Sequence, residues 1–142
     1  MYQKILVPLD GSAKAEKALL QAINLAKLTQ GSITLLHVIS ELSPYLNDGL
    51  GGAYQQVYQD LQVTGENILE KVQQKYVSEG VVLEGKIVWG NAAEEVCKEA
   101  EDNNYDLIIM GSRGLSEVKG FIMGSVSNRV VRHAVCPVLI VR

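Results

Sequence analysis

The sequence predicts an α/β fold: a five-stranded parallel sheet in the order 3-2-1-4-5 with helices on both faces, a doubly wound, Rossmann-like layout. Two observations carry this expectation. Leu107-Ile108-Ile109-Met110 is a short, uninterrupted apolar run, the pattern of a parallel strand covered on both sides. Such runs alternate along the chain with segments whose apolar residues recur at helical spacing, and parallel neighbours need right-handed crossovers of that kind. No internal repeat, linker or low-complexity tract divides the 142 residues, so 1–142 reads as a single domain large enough to bury a core.

Lys4 to Leu9 forms the first predicted strand. Asp10-Gly11-Ser12 then turns the chain into a helix over about 13–29, with Ser12 as its N-cap and Gly31 closing it. Ala15, Ala18, Leu19, Ala22, Ile23, Leu25 and Ala26 recur at helical spacing, and one face must pack on the sheet. Ile33 to Ile39 is the second strand, and residues 40–52, with Pro44, Gly49, Gly51 and Gly52, are a loop. Residues 53–79 carry a long helical pattern through Val57, Leu61, Ile68, Leu69 and Val72, weakened in the middle by Gly65 and stopped by Gly80. Val81 to Val88 is the third strand. Asn91, with Glu94 three residues on, starts a helix that runs to about Asn103. Leu107 to Met110 is the fourth strand, Ser125 to about His133 the last helix, and Pro137 to Val141 the fifth strand.

Composition excludes several classes of function. A net charge of −3 lacks the basic excess that a nucleic-acid footprint requires. No apolar run approaches the roughly 20 residues needed to span a bilayer, and the N-terminus enters a strand without a signal-peptide pattern, which predicts a cytoplasmic protein with no membrane partner. Cys97 and Cys136 are too few for a disulfide framework, and no Cys/His cluster has zinc-ligand spacing, so both read as packed thiols and no metal site is expected from protein ligands alone.

The chemistry concentrates in Met110-Gly111-Ser112-Arg113-Gly114 and, nine residues further on, Gly124-Ser125. Glycines between a buried strand and a helix leave room for a ligand against the backbone, and amides ahead of a helix N-terminus attract an anion. The Ser125 hydroxyl can add a donor. Glycine in this position also serves as an ordinary turn residue. In a 3-2-1-4-5 sheet the first and fourth strands are adjacent, so Asp10-Gly11-Ser12 and the segment from Gly111 to Ser125 would share one crevice at the carboxyl edge. Asp10 reads equally as a turn carboxylate or a ligand contact.

Other signals are weaker. The P-loop pattern is absent, because no lysine precedes Ser125, and Gly111-Ser112-Arg113-Gly114 is not the dinucleotide turn. His37 lies inside an apolar strand and reads as a hydrogen-bonded structural imidazole. His133 follows Arg132 at a helix end, where a cation favours the dipole. Trp89 reads as packing, and neither Ser12 nor Ser125 has the partners of a nucleophile.

Along essentially the whole chain these residues resemble the universal stress protein family. Ile5 through Ser12 is similar to the family's opening strand and acidic turn, Leu36-His37-Val38 to its second strand, and Tyr105 through Gly114 to its fourth strand and first glycine pair. Gly124 to Ser127 and Arg132 to Arg142 form the last anchor. The glycine spacing is that of the family's ATP-binding subgroup, and the fold implied is adenine nucleotide alpha hydrolase-like. The resemblance implies that ATP is bound, with Mg²⁺ or Mn²⁺ held through its phosphates. Pro8, Asp10, Gly11 and Ser12 would lie near the adenine and ribose, and Val38 would meet the base. Met110, Gly111 and Gly114 would approach the ribose and phosphates, while Gly124, Ser125, Val126 and Ser127 cradle phosphate. Arg113 and Arg129 are further candidates on charge and location alone. The expected role is regulatory, in a stress response, with slow ATP hydrolysis, self-phosphorylation or a nucleotide-free dimeric scaffold as alternatives. An apolar fifth strand at the sheet edge also predicts a homodimer through Pro137, Val138, Leu139, Ile140 and Val141.

Overall fold

A computed structural model describes residues 1–41, 53–113 and 123–142. The chain runs β1 (Lys4–Pro8), α1 (Ala13–Thr29), β2 (Ser32–Ile39), α2 (Ala53–Lys75), a 3₁₀ turn (Val77–Glu79), β3 (Leu83–Trp89), α3 (Ala92–Asp102), β4 (Leu107–Gly111), α4 (Ser125–His133) and β5 (Val138–Val141). The five strands are parallel and ordered β3-β2-β1-β4-β5, as the alternation predicts. β1 and β4 are neighbours, with Ile5 opposite Leu107 and Leu6 opposite Ile108.

Side chains alternate across each strand and divide the core in two. Ile5, Val7, Leu9, Ile33, Leu35, Leu107 and Ile109 face α1 and α2, whereas Leu6, Leu36, Ile108 and Met110 face α3 and α4. Ala15, Ala18, Leu19, Ala22, Ile23 and Ala26 form the buried face of α1. Small residues predominate there, which lets the helix lie close to the strands.

The differences from the sequence reading have local causes. The left-handed residue that closes α1 is Gln30 (φ 58), not Gly31. The Gly31 N–H still returns to the Ala26 carbonyl at 2.9 Å. The predicted helix over 53–79 divides at Tyr76 into α2 and the 3₁₀ turn, and Gly80 (φ 75) ends it in the left-handed conformation. The third strand lies later than Val81–Val88. It reaches Trp89, which pairs in register with Ile39, and the Gly90 N–H still bonds the Ile39 carbonyl at 3.0 Å. β1 ends at Pro8 rather than Leu9, β4 extends to Gly111, and β5 begins at Val138. The Pro137 carbonyl nevertheless accepts from the Ile108 N–H at 3.0 Å. The expected loop 40–52 lies outside the described residues from 42 onward.

Trp89 packs as expected. Its indole stacks on Tyr58 with ring centroids 4.6 Å apart, and its N–H donates to Gln62 Oε1 at 3.2 Å. Tyr54 donates its hydroxyl hydrogen to Tyr58, and this bond pushes the Tyr54 phenol up to about 12. Cys97 and Cys136 are both half-buried against the α3/α4 side of the core, and burial pushes both thiols up, so both stay protonated at neutral pH.

Candidate functional site

The turn after β1 is built from local hydrogen bonds. Gly11 adopts φ 85, a conformation open to glycine at no steric cost. This brings the Ser12 N–H to Asp10 Oδ1 at 2.9 Å. Ser12 then caps α1, its Oγ accepting from the Ala15 N–H at 3.2 Å and its carbonyl from the Glu16 N–H at 3.2 Å. Glu16, in the first turn, places a carboxylate near the helix N-terminus and is itself paired with Lys75 and Tyr76. Those two partners, Lys75 first, hold the Glu16 carboxyl below its ordinary value.

The segment after β4 is assembled by one carbonyl. Ser112 O accepts from the Gly124 N–H at 2.7 Å and from the buried Ser127 hydroxyl at 2.7 Å, while the Ser112 N–H bonds the Val141 carbonyl at 2.9 Å. The end of β4 is thereby tied both to β5 and to the start of α4. Ser127 Oγ also lies 3.0 Å from the Gly124 carbonyl, so its hydrogen is directed into the backbone and not toward the crevice. A Cβ at Gly124 would stand 3.3 Å from Arg113 Cα and 3.3 Å from Ser112 O. Close approach is required there, because Gly124 has ordinary extended dihedrals.

α4 begins differently from α1. Its N-cap, Gly124, has no side chain to accept from the first turn, and the first turn contains no acidic residue. The Asn128 N–H makes the first helical bond, to Gly124 O at 3.0 Å. The amides of Ser125, Val126 and Ser127 precede it and have no acceptor within the helix. Ser125 and Val126 are exposed. These amides, the Ser125 hydroxyl and the helix dipole together make a donor set suited to an anion.

Across the carboxyl edge, Val38 of β2 and Met110 of β4 lie on the α3/α4 side of the sheet. Pro8 of β1 shares the parity of Leu6 and therefore the same side. The three stand on adjacent strands, next to the turn at Asp10 and the start of α4. They form an apolar strip beside a donor cluster, the pairing that a heterocycle joined to a charged group requires.

The predicted residues therefore fall into two groups. Pro8, Asp10, Gly11, Ser12, Val38, Met110, Arg113, Gly124, Ser125 and Val126 lie around this edge, whereas Gly114 is outside the described residues. Gly111 has a reason internal to the fold, because a Cβ there would come within 3.0 Å of the Lys14 carbonyl carbon, in the first turn of α1. Arg129 turns to the start of α3, donating to Asn91 Oδ1 at 3.4 Å and Glu94 Oε1 at 3.2 Å. Ser112 was missed by sequence reasoning. It acts through its carbonyl, which every residue carries, so no side-chain pattern could single it out. Among the described residues, no group of three or more His, Cys, Asp or Glu could hold a metal ion, and no helix is long and apolar enough to cross a membrane.

Comparison with known proteins places this edge in context. The model of the universal stress protein family matches residues 1–142. The universal stress protein YxiE of Bacillus subtilis is 36% identical over the whole of both chains. MJ0577 of Methanocaldococcus jannaschii, also a universal stress protein, is 34% identical over all of this chain and 96% of its own. Its solved structure superposes with a TM-score of 0.86 over 99% of this chain and 96% of that one. UspA of Lactobacillus plantarum gives a TM-score of 0.87 at 26% identity, over 99% and 98% of the two chains.

Proposed function

The chain belongs to the universal stress protein family, and on that premise we propose that it binds ATP at the carboxyl edge of the sheet as a regulatory, nucleotide-responsive protein. The observation that carries this reading is the start of α4, an uncapped helix N-terminus without its own acid, set beside the Asp10 turn on the neighbouring strand. Two solved structures that share the fold at 24% identity contain adenine nucleotides: an Arabidopsis thaliana family protein with AMP bound and a universal stress protein in complex with cAMP.

In this reading Pro8, Val38 and Met110 hold the base and ribose. Asp10 accepts from them through the carboxylate oxygen that does not bind Ser12. Gly111, packed against Lys14, lies beneath the ribose and phosphates, the family pattern assigns Gly114 to the same groups, and Arg113 offers charge. The phosphates rest on the amides that follow Gly124 and on the Ser125 hydroxyl, with Val126 and Ser127 completing the first turn. Mg²⁺ or Mn²⁺ enters with ATP, bound through the phosphates.

The test is thermal unfolding of protein first shown to be free of nucleotide. A ligand bound only by the folded state, at a hundredfold over its dissociation constant, adds about 2.7 kcal/mol, or roughly 8 °C for a domain of this size. No shift with ATP would overturn the reading.

The homodimer is part of the same proposal. β5 is an edge strand, and Leu139, Val131 and Val135 on and beside it are 44%, 45% and 63% exposed. Two copies pairing antiparallel through Pro137 to Val141 would cover these side chains about a twofold axis. Leu139→Lys would place like charges near that axis, and light scattering should then report a monomer. A monomeric mass for the unaltered chain would count against the dimer.

A further inference from the structure

We propose that His37 is a positioning residue of the nucleotide site, holding the peptide that leads into Asp10 from a seat beneath α2. The inference rests on the reading that the Asp10 turn contacts the nucleotide, but its geometry stands apart from it. His37 Nδ1 lies 2.7 Å from the Leu9 carbonyl oxygen. A carbonyl can only accept, so Nδ1 carries the hydrogen and donates it. The ring thus reaches from β2 across to the neighbouring chain segment, one residue after β1 has ended.

The Leu9 carbonyl and the Asp10 N–H belong to one planar peptide, so fixing the first orients the second and the start of the Asp10 backbone. The other side of Leu9 is also anchored, its N–H donating to the Leu36 carbonyl at 2.8 Å. Leu9 is 3% exposed, and an apolar residue at 37 would leave its carbonyl without this donor in a largely dry place. Immediately downstream, Asp10 Oδ1 accepts from Ser12 N–H. His37, Leu9, Asp10 and Ser12 therefore form one chain of bonds, from the middle of the sheet to the cap of α1.

α2 closes over this chain from outside. Gly65 is buried, and a Cβ there would stand 2.7 Å from His37 Cδ2 and 3.2 Å from Nε2, so the ring occupies the space a side chain would need. Along the same helix, Ile68 Cδ1 lies 3.3 Å from the position of a Cβ on Gly11. α2 thus touches both ends of the arrangement, the imidazole through Gly65 and the turn through Ile68. The glycine that weakens the helix by propensity is the one that lets it settle on the ring.

The test compares His37→Asn, His37→Gln and His37→Phe in the full chain. Asn carries its amide nitrogen as many bonds from Cα as Nδ1 is, whereas Gln carries it one bond further while filling more of the ring's volume. Three quantities are read: exchange of the Ser12 amide in nucleotide-free protein, ATP affinity, and melting temperature. The expected result is that Asn keeps Ser12 exchange and ATP affinity within about threefold of the unaltered chain, while Gln and Phe worsen both by about tenfold, the effect of one lost hydrogen bond of ordinary strength. A ranking by volume, with Gln and Phe better than Asn, would overturn the proposal and leave His37 a packing residue, as would unchanged exchange and affinity in Gln and Phe. If the unaltered chain does not bind ATP, the nucleotide reading has failed, and the Ser12 exchange ranking still decides whether His37 sets the turn. Should Phe not fold, the contrast between Asn and Gln carries the test.

Discussion

α1 and α4 both start at the carboxyl edge of the sheet, after adjacent parallel strands, yet their first turns are built on opposite lines. α1 satisfies itself: Ser12 caps it, Asp10 braces the cap, and Glu16 places an anion by its N-terminus. α3 follows the same plan, with Asn91 Oδ1 accepting from the Glu94 N–H at 3.2 Å and Glu94 and Glu95 in its first turn. α4 has a glycine cap and no acid. An N-terminus that supplies its own acceptor and its own negative charge has little left to offer a ligand, whereas one that supplies neither binds an anion at no cost in lost internal bonds. If ATP binds as proposed, the two starts divide labour, α1 as wall and α4 as phosphate seat.

Gly124→Val should break this division most severely. The new Cβ meets Arg113 Cα and Ser112 O at 3.3 Å, and the two γ-carbons enlarge the conflict, so the start of α4 must move off the end of β4. ATP affinity should fall by about a hundredfold, ~2.7 kcal/mol, by titration calorimetry, with the sheet still folded by circular dichroism. Unchanged affinity would move the ligand elsewhere.

A pair of serines sharpens the comparison. Ser125→Ala removes one hydroxyl donor to a charged group while the amides remain, so ATP binding should weaken by about 1.5 kcal/mol, less than in Gly124→Val, while stability stays within about 0.5 kcal/mol. Ser12→Ala removes a cap, so it should cost about 1 kcal/mol of stability, roughly 3–4 °C in melting temperature, and affect affinity less than Ser125→Ala does. Calorimetry and thermal unfolding on both variants measure the crossing. If Ser12→Ala harms binding more than stability, the two starts do not differ in the manner described.

Strand order, helix faces and the crevice between the first and fourth strands were legible because they follow from periodicity and handedness, which side chains encode directly. The caps at Ser12 and Asn91 were legible for the same reason, since each places a side-chain oxygen where the pattern of apolar residues begins. What escaped depends on backbone or on distant contact. Ser112 organises the site through a carbonyl that any residue would present. Gly111 and Gly65 read as ligand space and as a helix defect, but each makes room for another part of the chain, Lys14 in one case and His37 in the other. A glycine in a sequence announces that something comes close and does not say what. Arg129, named on charge and position, is drawn to α3 by Asn91 and Glu94, a preference set only once the two helices are neighbours.

The smallest expected effect concerns the anion that α1 supplies for itself. Glu16 is paired with Lys75 and accepts from the Tyr76 hydroxyl, and these contacts, Lys75 more than Tyr76, hold its carboxyl below the ordinary 4.5. A group whose folded pKa is depressed adds stability above its unfolded pKa and loses that contribution as pH falls through the folded value. Glu16→Gln should therefore cost about 0.5–1 kcal/mol at pH 7, where a partly exposed ion pair and a helix-start anion are both lost, though the amide oxygen can still accept from Tyr76. The difference between the two proteins should be constant from neutral pH down to about 5 and should shrink below the ordinary glutamate range. Urea unfolding at pH 7, 5 and 3.5 measures it. A difference that grew on acidification would mean that the carboxyl is stabilised in its protonated form, and that α1 is not held by a negative charge of its own.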